Sequence, residues 1–316
     1  MIIFHWLGRH ATWVMPMGLV IGILFPALAA VAQSLLLPAV VFPLMLSIAR
    51  VAWQGQLAAL KRWQLLFWVS VWMLITAPIL VWLVGRAANL PEHLLHGAVL
   101  AAAAPPVTAC GALALLMKLD ARITLITTLV TLLLCPLTIP PIALYLLNIN
   151  IDLSFIDLMQ RLGIVVAIAL AGATVLKKAL GQARIDRNAS IIDGLSVIFI
   201  SIFIIGMMDG ILAWSMQQPL IALSVLLVST LTIFGLNALS SLLFFREEPA
   251  TALAIGLVSG QANLGLLYLT LADQVSINVL AFFALGQIPL YVLPMIERPI
   301  ARYWLERTVQ PISKLP

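Results

Sequence analysis

The sequence predicts an all-α polytopic membrane protein: ten transmembrane helices forming two inverted five-helix repeats, residues 1–150 and 151–316, within one integral membrane unit. Three observations predict it. Of the 316 residues, 63% are hydrophobic and only 9% charged, whereas a soluble domain carries about a quarter charged residues and can cover a water-facing surface. Lys and Arg fall almost entirely on one side of a ten-span count. Asp and Pro positions recur at one fixed offset between the two halves.

A bilayer core requires about 20 apolar residues per helix. Spans are expected at 12–31, 33–50, 64–84, 94–118, 122–147, 160–179, 191–212, 217–243, 249–272 and 275–296. Pro26 and Pro38 punctuate the nearly continuous run that holds the first two. With this count, one side receives Arg9, Arg50, Lys61, Arg62, Lys118, Arg122, Lys177, Lys178, Arg184, Arg187, Arg246, Arg298, Arg302, Arg307 and Lys314. The other side receives only Arg86 and Arg161. Cytoplasmic loops are rich in Lys and Arg, so both termini are expected in the cytoplasm, with the chain in a bacterial inner membrane.

The same distribution argues against nucleic acid as a partner despite the net charge of +5, because the cations mark span ends. The N-terminal stretch lacks the ordered parts of a cleaved signal peptide. Cys110 and Cys135 lie inside apolar segments and read as small core residues. No HExxH, P-loop or GxSxG pattern occurs, so no enzyme chemistry is expected. His5, His10, His93 and His96 lie near span ends and read as interfacial. Trp6, Trp13, Trp53, Trp63, Trp82 and Trp214 mark the aromatic belt.

Residues 114–137 match 266–290 at an offset of 153: Asp120 with Asp273, Pro136 with Pro289, Pro141 with Pro294. Five spans per half would invert the second half relative to the first. The fourth span carries Pro105-Pro106 at its middle, where proline removes a donor and clashes with the preceding turn. The offset carries that break onto Ser259-Gly260, beside Gln261, Asn263 and Gly265. Broken backbone at membrane depth is tolerated only when packed in protein or lining a cavity. The fourth and ninth spans are therefore expected to be discontinuous and to cross near the midplane. Half-helix N-termini there would offer N–H groups to an anion.

Residues 89–120, 123–137 and 259–266, with Pro78 thirteen residues before Pro91 and Asn237 in the eighth span, resemble the bile acid:sodium symporter family. The resemblance implies a small-organic-anion carrier that works by alternating access, with sodium as the coupling ion. Its Ser-Asn sodium ligands fall here on Cys110 and Gly111, its ninth-helix Glu on Val258 and its third-helix Gln on Met73. Cysteine sulfur is a poor ligand for a hard cation. Thr124, Thr128 and Gln261 remain as sodium candidates. Proton-coupled or uncoupled export, as in arsenite or auxin-efflux-type carriers of the same plan, and a non-transporting membrane protein stand as alternatives. The oligomeric state is not readable.

The candidate substrate- and ion-binding residues are Pro106, Thr108, Cys110, Gly111, Thr124, Thr128, Asn237, Ser259, Gly260, Gln261 and Asn263. Thr124, Thr128 and Thr131 share one helix face and would either line a cavity or bond their own backbone. Thr108 would cap the second half-helix or touch substrate. Gln261 and Asn263 would bind substrate or glue helices together, and Gln287 reads as glue. Asp193 and Asp209 would carry protons or sit at the interface, Asp193 as a helix cap. Asp120 and Asp273 read as turn residues.

Overall fold

Proline decides where the apolar runs bend. The computed structural model of the chain describes residue 4, residues 6–7, 10–51, 61–149 and 154–309; His5, Arg9, Trp53 and Lys314 lie outside the described residues. Helix α1 (Ala11–Leu24) and helix α2 (Pro26–Gln33) meet at a 110° bend, so residues 12–31 form no single straight span. Pro26 opens α2, and the residue before a proline is pushed away from the helical region. Phe25 accordingly sits at φ −123°, ψ 76°. Pro38 breaks nothing: it lies in the first turn of α3 (Leu36–Ala49), where no N–H is needed. In α4 (Trp63–Ala87) the turn Trp72–Thr76 widens to π geometry just before Pro78. Pro78 has no N–H to offer the carbonyl one turn back, and a wider turn relieves its ring.

Helix α5 (Glu92–Ala103) and the short α6 (Cys110–Leu116) are followed by α7 (Ala121–Leu146). Asp120 caps α7 by accepting from Arg122 N and Ile123 N at 3.2 and 3.1 Å. Then come α8 (Phe155–Leu180), α9 (Gln182–Arg187), α10 (Ala189–Met207), α11 (Ile211–Gln217) and α12 (Pro219–Leu243). The chain closes with α13 (Pro249–Gly260), α14 (Leu264–Leu271), α15 (Ile277–Leu285) and α16 (Gln287–Val309). A capping box, Ser154 with Asp157, starts α8. Among the described residues every regular element is a helix.

Among the described residues six stretches are long and apolar enough to cross a membrane: α4, α7, α8, α10 with α11, α12, and α15 with α16; the bent α1–α2 pair makes a seventh. On α12, Leu220, Leu223, Leu227 and Leu231 form an exposed stripe, a face that water does not tolerate at such length. These are the features of an integral membrane protein. The other stretches expected to span are shorter or interrupted: α3 has 14 residues, and 94–118 and 249–272 are each two helices.

Packing divides the helices into two sets. In one, α10 lies on α1, α2 and α3, and α8 lies on α3. In the other, α12 lies on α13, α5, α15 and α16, while α4 and α15 flank α5 and α7 packs on α13 and α6. Helix α14 reaches both sets, touching α15 on one side and α3 and α8 on the other, and the sets also meet directly where α7 packs on α8 and α1 on α16. The interrupted helices are the best-buried ones: Leu94, Leu95 and Gly97–Ala104 are buried, as are Ala254–Val258.

Candidate functional site

The two breaks meet. After Ala103 the chain turns extended, with Ala104 at φ −68°, ψ 140°, the conformation favoured before a proline. Pro106 then lies opposite Ala262 in an antiparallel bridge. Val107 N donates to Gln261 O at 2.7 Å, and Asn263 N donates to Pro105 O at 2.8 Å. In this pattern the facing residues, 106 and 262, exchange no hydrogen bonds with each other. Proline at 106 therefore forfeits no bond, and proline at 105 supplies only a carbonyl. The Pro-Pro pair both ends the helix and fits the bridge, so Pro105 O and Val107 N, which the break would otherwise leave open, find partners across it.

The second break lacks proline and is held by side chains. Helix α13 runs through Ser259 and Gly260, so the interruption falls at Gln261–Asn263, slightly beyond the position carried over from the first half. The Asn263 side chain caps α14 by accepting from Leu266 N at 3.1 Å. Gln261 is 1% exposed and donates Nε2 to Leu290 O at 3.0 Å. That carbonyl is free because the residue four positions on is Pro294, which has no N–H. Gln261 thus clamps the break to α16 at the place a proline opened. A Cβ on Gly260 would lie 2.7 Å from Leu293 Cδ2 and 2.9 Å from Asn237 Cβ, so α12, α13 and α16 converge on this residue.

The remaining expected residues divide differently. Thr108 does not cap α6: Ala109 holds that position and no side chain caps it. Thr124 and Thr128 are fully or nearly buried, and each hydroxyl donates to its own backbone, to Asp120 O at 2.9 Å and Thr124 O at 2.8 Å. Thr131 does the same to Thr127 O, and Ser259 to Ile255 O. Thr127 Oγ1 is buried without a partner. Asp193 does not cap α10, whose N-cap is Asn188; it forms an ion pair with Arg50. Gln287 is buried on α10, with Nε2 near Met207 Sδ at 3.9 Å.

The positions onto which the resemblance carries sodium ligands do not fit that ion. Met73, Cys110 and Val258 pack into one buried apolar cluster with Trp72, Ile126 and Leu236. At Gly111 a Cβ would fall 2.3 Å from Leu125 Cδ2, leaving no space for an oxygen-bearing side chain. The amide nitrogen of Gln261 is engaged with Leu290, not with Thr124 or Thr128. Sodium takes oxygen ligands, and this place is filled with sulfur and carbon.

One carboxylate escapes the sequence reading. Glu297, one residue past the expected end of the tenth span, is 4% exposed on α16. Asn237 faces it from α12, yet neither Glu297 oxygen nor Asn237 Nδ2 closes a hydrogen bond. Of the six buried side-chain polar atoms without a partner among the described residues, three belong to this pair. The signal was present in the chain: Glu297 stands one turn after Leu293, on the face that packs against Gly260.

Ion pairs tie the helix ends. Arg62 pairs with Glu247 and approaches Asp120 Oδ2 at 3.7 Å, while Thr251 donates to the same oxygen at 3.1 Å. These contacts join the starts of α4, α7 and α13. Arg161 Nη1 on α8 donates to both oxygens of Asp273 at 2.7 and 2.8 Å, joining the two helix sets; the guanidinium holds the Asp273 carboxyl below its usual range. Asp120 and Asp273 are thus more than turn residues. No protein-family model matches this chain, and no curated protein does either.

Proposed function

We propose that the chain is a secondary active carrier of a small organic anion, built as ten spans in two inverted repeats, with the paired breaks as its substrate site. The bridge between Pro105–Val107 and Gln261–Asn263 carries this reading. Interrupted helices in hydrocarbon are expensive unless their free ends serve a purpose, and paired interruptions are a pointer to a transporter's binding site. Helices α6 and α14 both restart beside the bridge; Cys110 N and Leu264 N donate to Val107 O and Ala262 O and Leu266 N to the Asn263 side chain, so an anion there would meet the other first-turn N–H groups. Two packed helix sets, meeting where α7 packs on α8, where α1 packs on α16 and at α14, and tied by the Arg161–Asp273 pair, are the parts that would move past each other. The resemblance to the bile acid:sodium symporter family supports the substrate class, and the Lys and Arg distribution supports an inner-membrane orientation with both termini cytoplasmic.

For coupling, the carbon and sulfur at Met73, Cys110 and Val258 favour protons or no coupling ion over sodium. The test is uptake into proteoliposomes of labelled bile acids, pantoate-like acids and keto acids under an inward sodium gradient, an inward proton gradient, and neither. The expected result is uptake of at least one acid that is indifferent to sodium and lost in Val107→Pro. Sodium-dependent uptake lost in Thr128→Ala would restore the sodium reading. A wild-type protein that moves none of the panel in any arm, counterflow included, points to the non-transporting alternative.

A further inference from the structure

We infer that Glu297, paired with Asn237 beside the second break, is the proton-binding group of this carrier. The inference rests on the carrier reading above and names the residue that would couple it. Glu297 sits where α16, α12 and α13 converge, and ionisable groups inside a membrane protein are costly and mark proton or ion pathways by default. A buried carboxylate needs a cation or several donors to stay charged. Among the described residues none is supplied as an ion pair: Arg298 and Arg302 on the same helix are exposed on its other faces.

Helices α1, α12, α13 and α15, which pack on α16, contribute no titratable side chain, and the titratable group of α6 is the buried thiol of Cys110. The protonated form suits this place. A carboxylic acid offers one O–H and one C=O, and the Asn237 amide offers an N–H and a C=O, so the two can satisfy each other. The ionised form cannot donate and leaves a charge on a buried face of α16, where Leu293 and Ala301, one turn to either side, are also buried. A metal cation is poorly served, because a hard ion takes about six oxygens and no group of three or more His, Cys, Asp or Glu that could hold a metal ion occurs among the described residues.

Position gives the proton its leverage. Glu297 follows Leu293 by one turn, Leu293 packs on Gly260, and Gln261 holds Leu290 O on the same helix. A change of charge at 297 therefore acts on the helix that clamps the break. In the step itself a hydronium ion on the side to which the site is open gives its proton to a carboxylate oxygen of Glu297, its own O–H bond breaking as the carboxyl O–H forms and a water molecule being left behind. On the other side the carboxyl O–H breaks and the proton passes to water, forming hydronium and returning the carboxylate.

The experiment compares wild type, Glu297→Gln and Glu297→Asp in proteoliposomes, with arms for an inward proton gradient, an inward sodium gradient and substrate counterflow without a gradient. Expected are proton-driven accumulation by wild type and Glu297→Asp, and loss of accumulation and of its pH dependence in Glu297→Gln while counterflow continues. Accumulation by Glu297→Gln at the wild-type level and pH profile overturns the assignment and leaves the carrier reading intact, as does accumulation driven by sodium. Absence of counterflow in wild type overturns the carrier reading instead. Infrared difference spectra over a pH series of the purified protein follow the group without transport. A buried carboxylic-acid band shifted in Glu297→Asp and missing in Glu297→Gln is expected; a wild-type protein lacking it, or a Gln variant keeping it, removes Glu297 as the proton site.

Discussion

The two breaks reach one geometry by different chemistry. The first is written into the backbone: Pro105 and Pro106 end α5 because proline cannot continue a helix, and the bridge needs only the carbonyl of 105 and the N–H of 107. The second has no proline of its own. Helix α13 stops at Gly260 because Gln261 is pulled to Leu290 O and Asn263 turns to cap α14. One break is local, and the other is enforced by neighbours. The first should therefore tolerate changes in its surroundings, while the second should fail when its surroundings change.

The largest effect is expected at Gly260. Gly260→Val puts a branched side chain against Leu293, Asn237 and the Ile233 carbonyl, which lies 3.0 Å from the ideal Cβ, and overpacking of this sort costs about 3 kcal/mol or more. A fall in the detergent melting temperature reads it; a variant as stable as wild type would show that α12 and α16 do not enforce the break. Next comes Gln261→Leu. It strands the carbonyl that Pro294 left open, at about 1–3 kcal/mol, and Pro294→Ala should recover most of the loss by returning an N–H. Failure of the double variant to recover would mean that Gln261 acts elsewhere.

At the first break the contrast lies between neighbours. Val107→Pro removes a bridge donor and should cost about 1–3 kcal/mol. Pro106→Ala removes none and should cost under about 1 kcal/mol through the unfolded chain alone. Equal losses would refute the bridge. The smallest effect belongs to the Arg161–Asp273 latch, whose side chains are 39% and 56% exposed; screening holds such a pair to about 0.2–1 kcal/mol. The Asp273 carboxyl is held low, so its contribution is present at neutral pH. It fades as pH falls below the ordinary carboxylate value of about 4 and through the lowered one. Asp273→Asn should flatten that acid limb of a melting curve.

Span boundaries were legible where apolar length alone decides them, as for α8 and α12, and so was the interruption at Pro105-Pro106, because a missing N–H is a property of the residue. The bend at Phe25 was half-legible: Pro26 and Pro38 look alike as letters, and only their places in a turn separate a breaker from a first-turn residue. The threonine stripe of α7 was visible as spacing, but not the direction of its hydroxyls, which turn back to their own backbone. Glu297 was legible only as a position one turn after Leu293; hydropathy places it at a span end beside Arg298, and its burial came with the packing of α16.

By itself the sequence determined that this chain lives in a membrane and that its fourth apolar run must break, because composition and proline act without partners. The tertiary structure decided the rest: that a second break forms at Gln261 to meet the first, that Gln261 answers the carbonyl opened by Pro294, and that Glu297 is buried against Asn237. Each depends on residues far apart in the chain arriving at the same place, and no local pattern records which groups will meet when two helix ends and a third helix pack together.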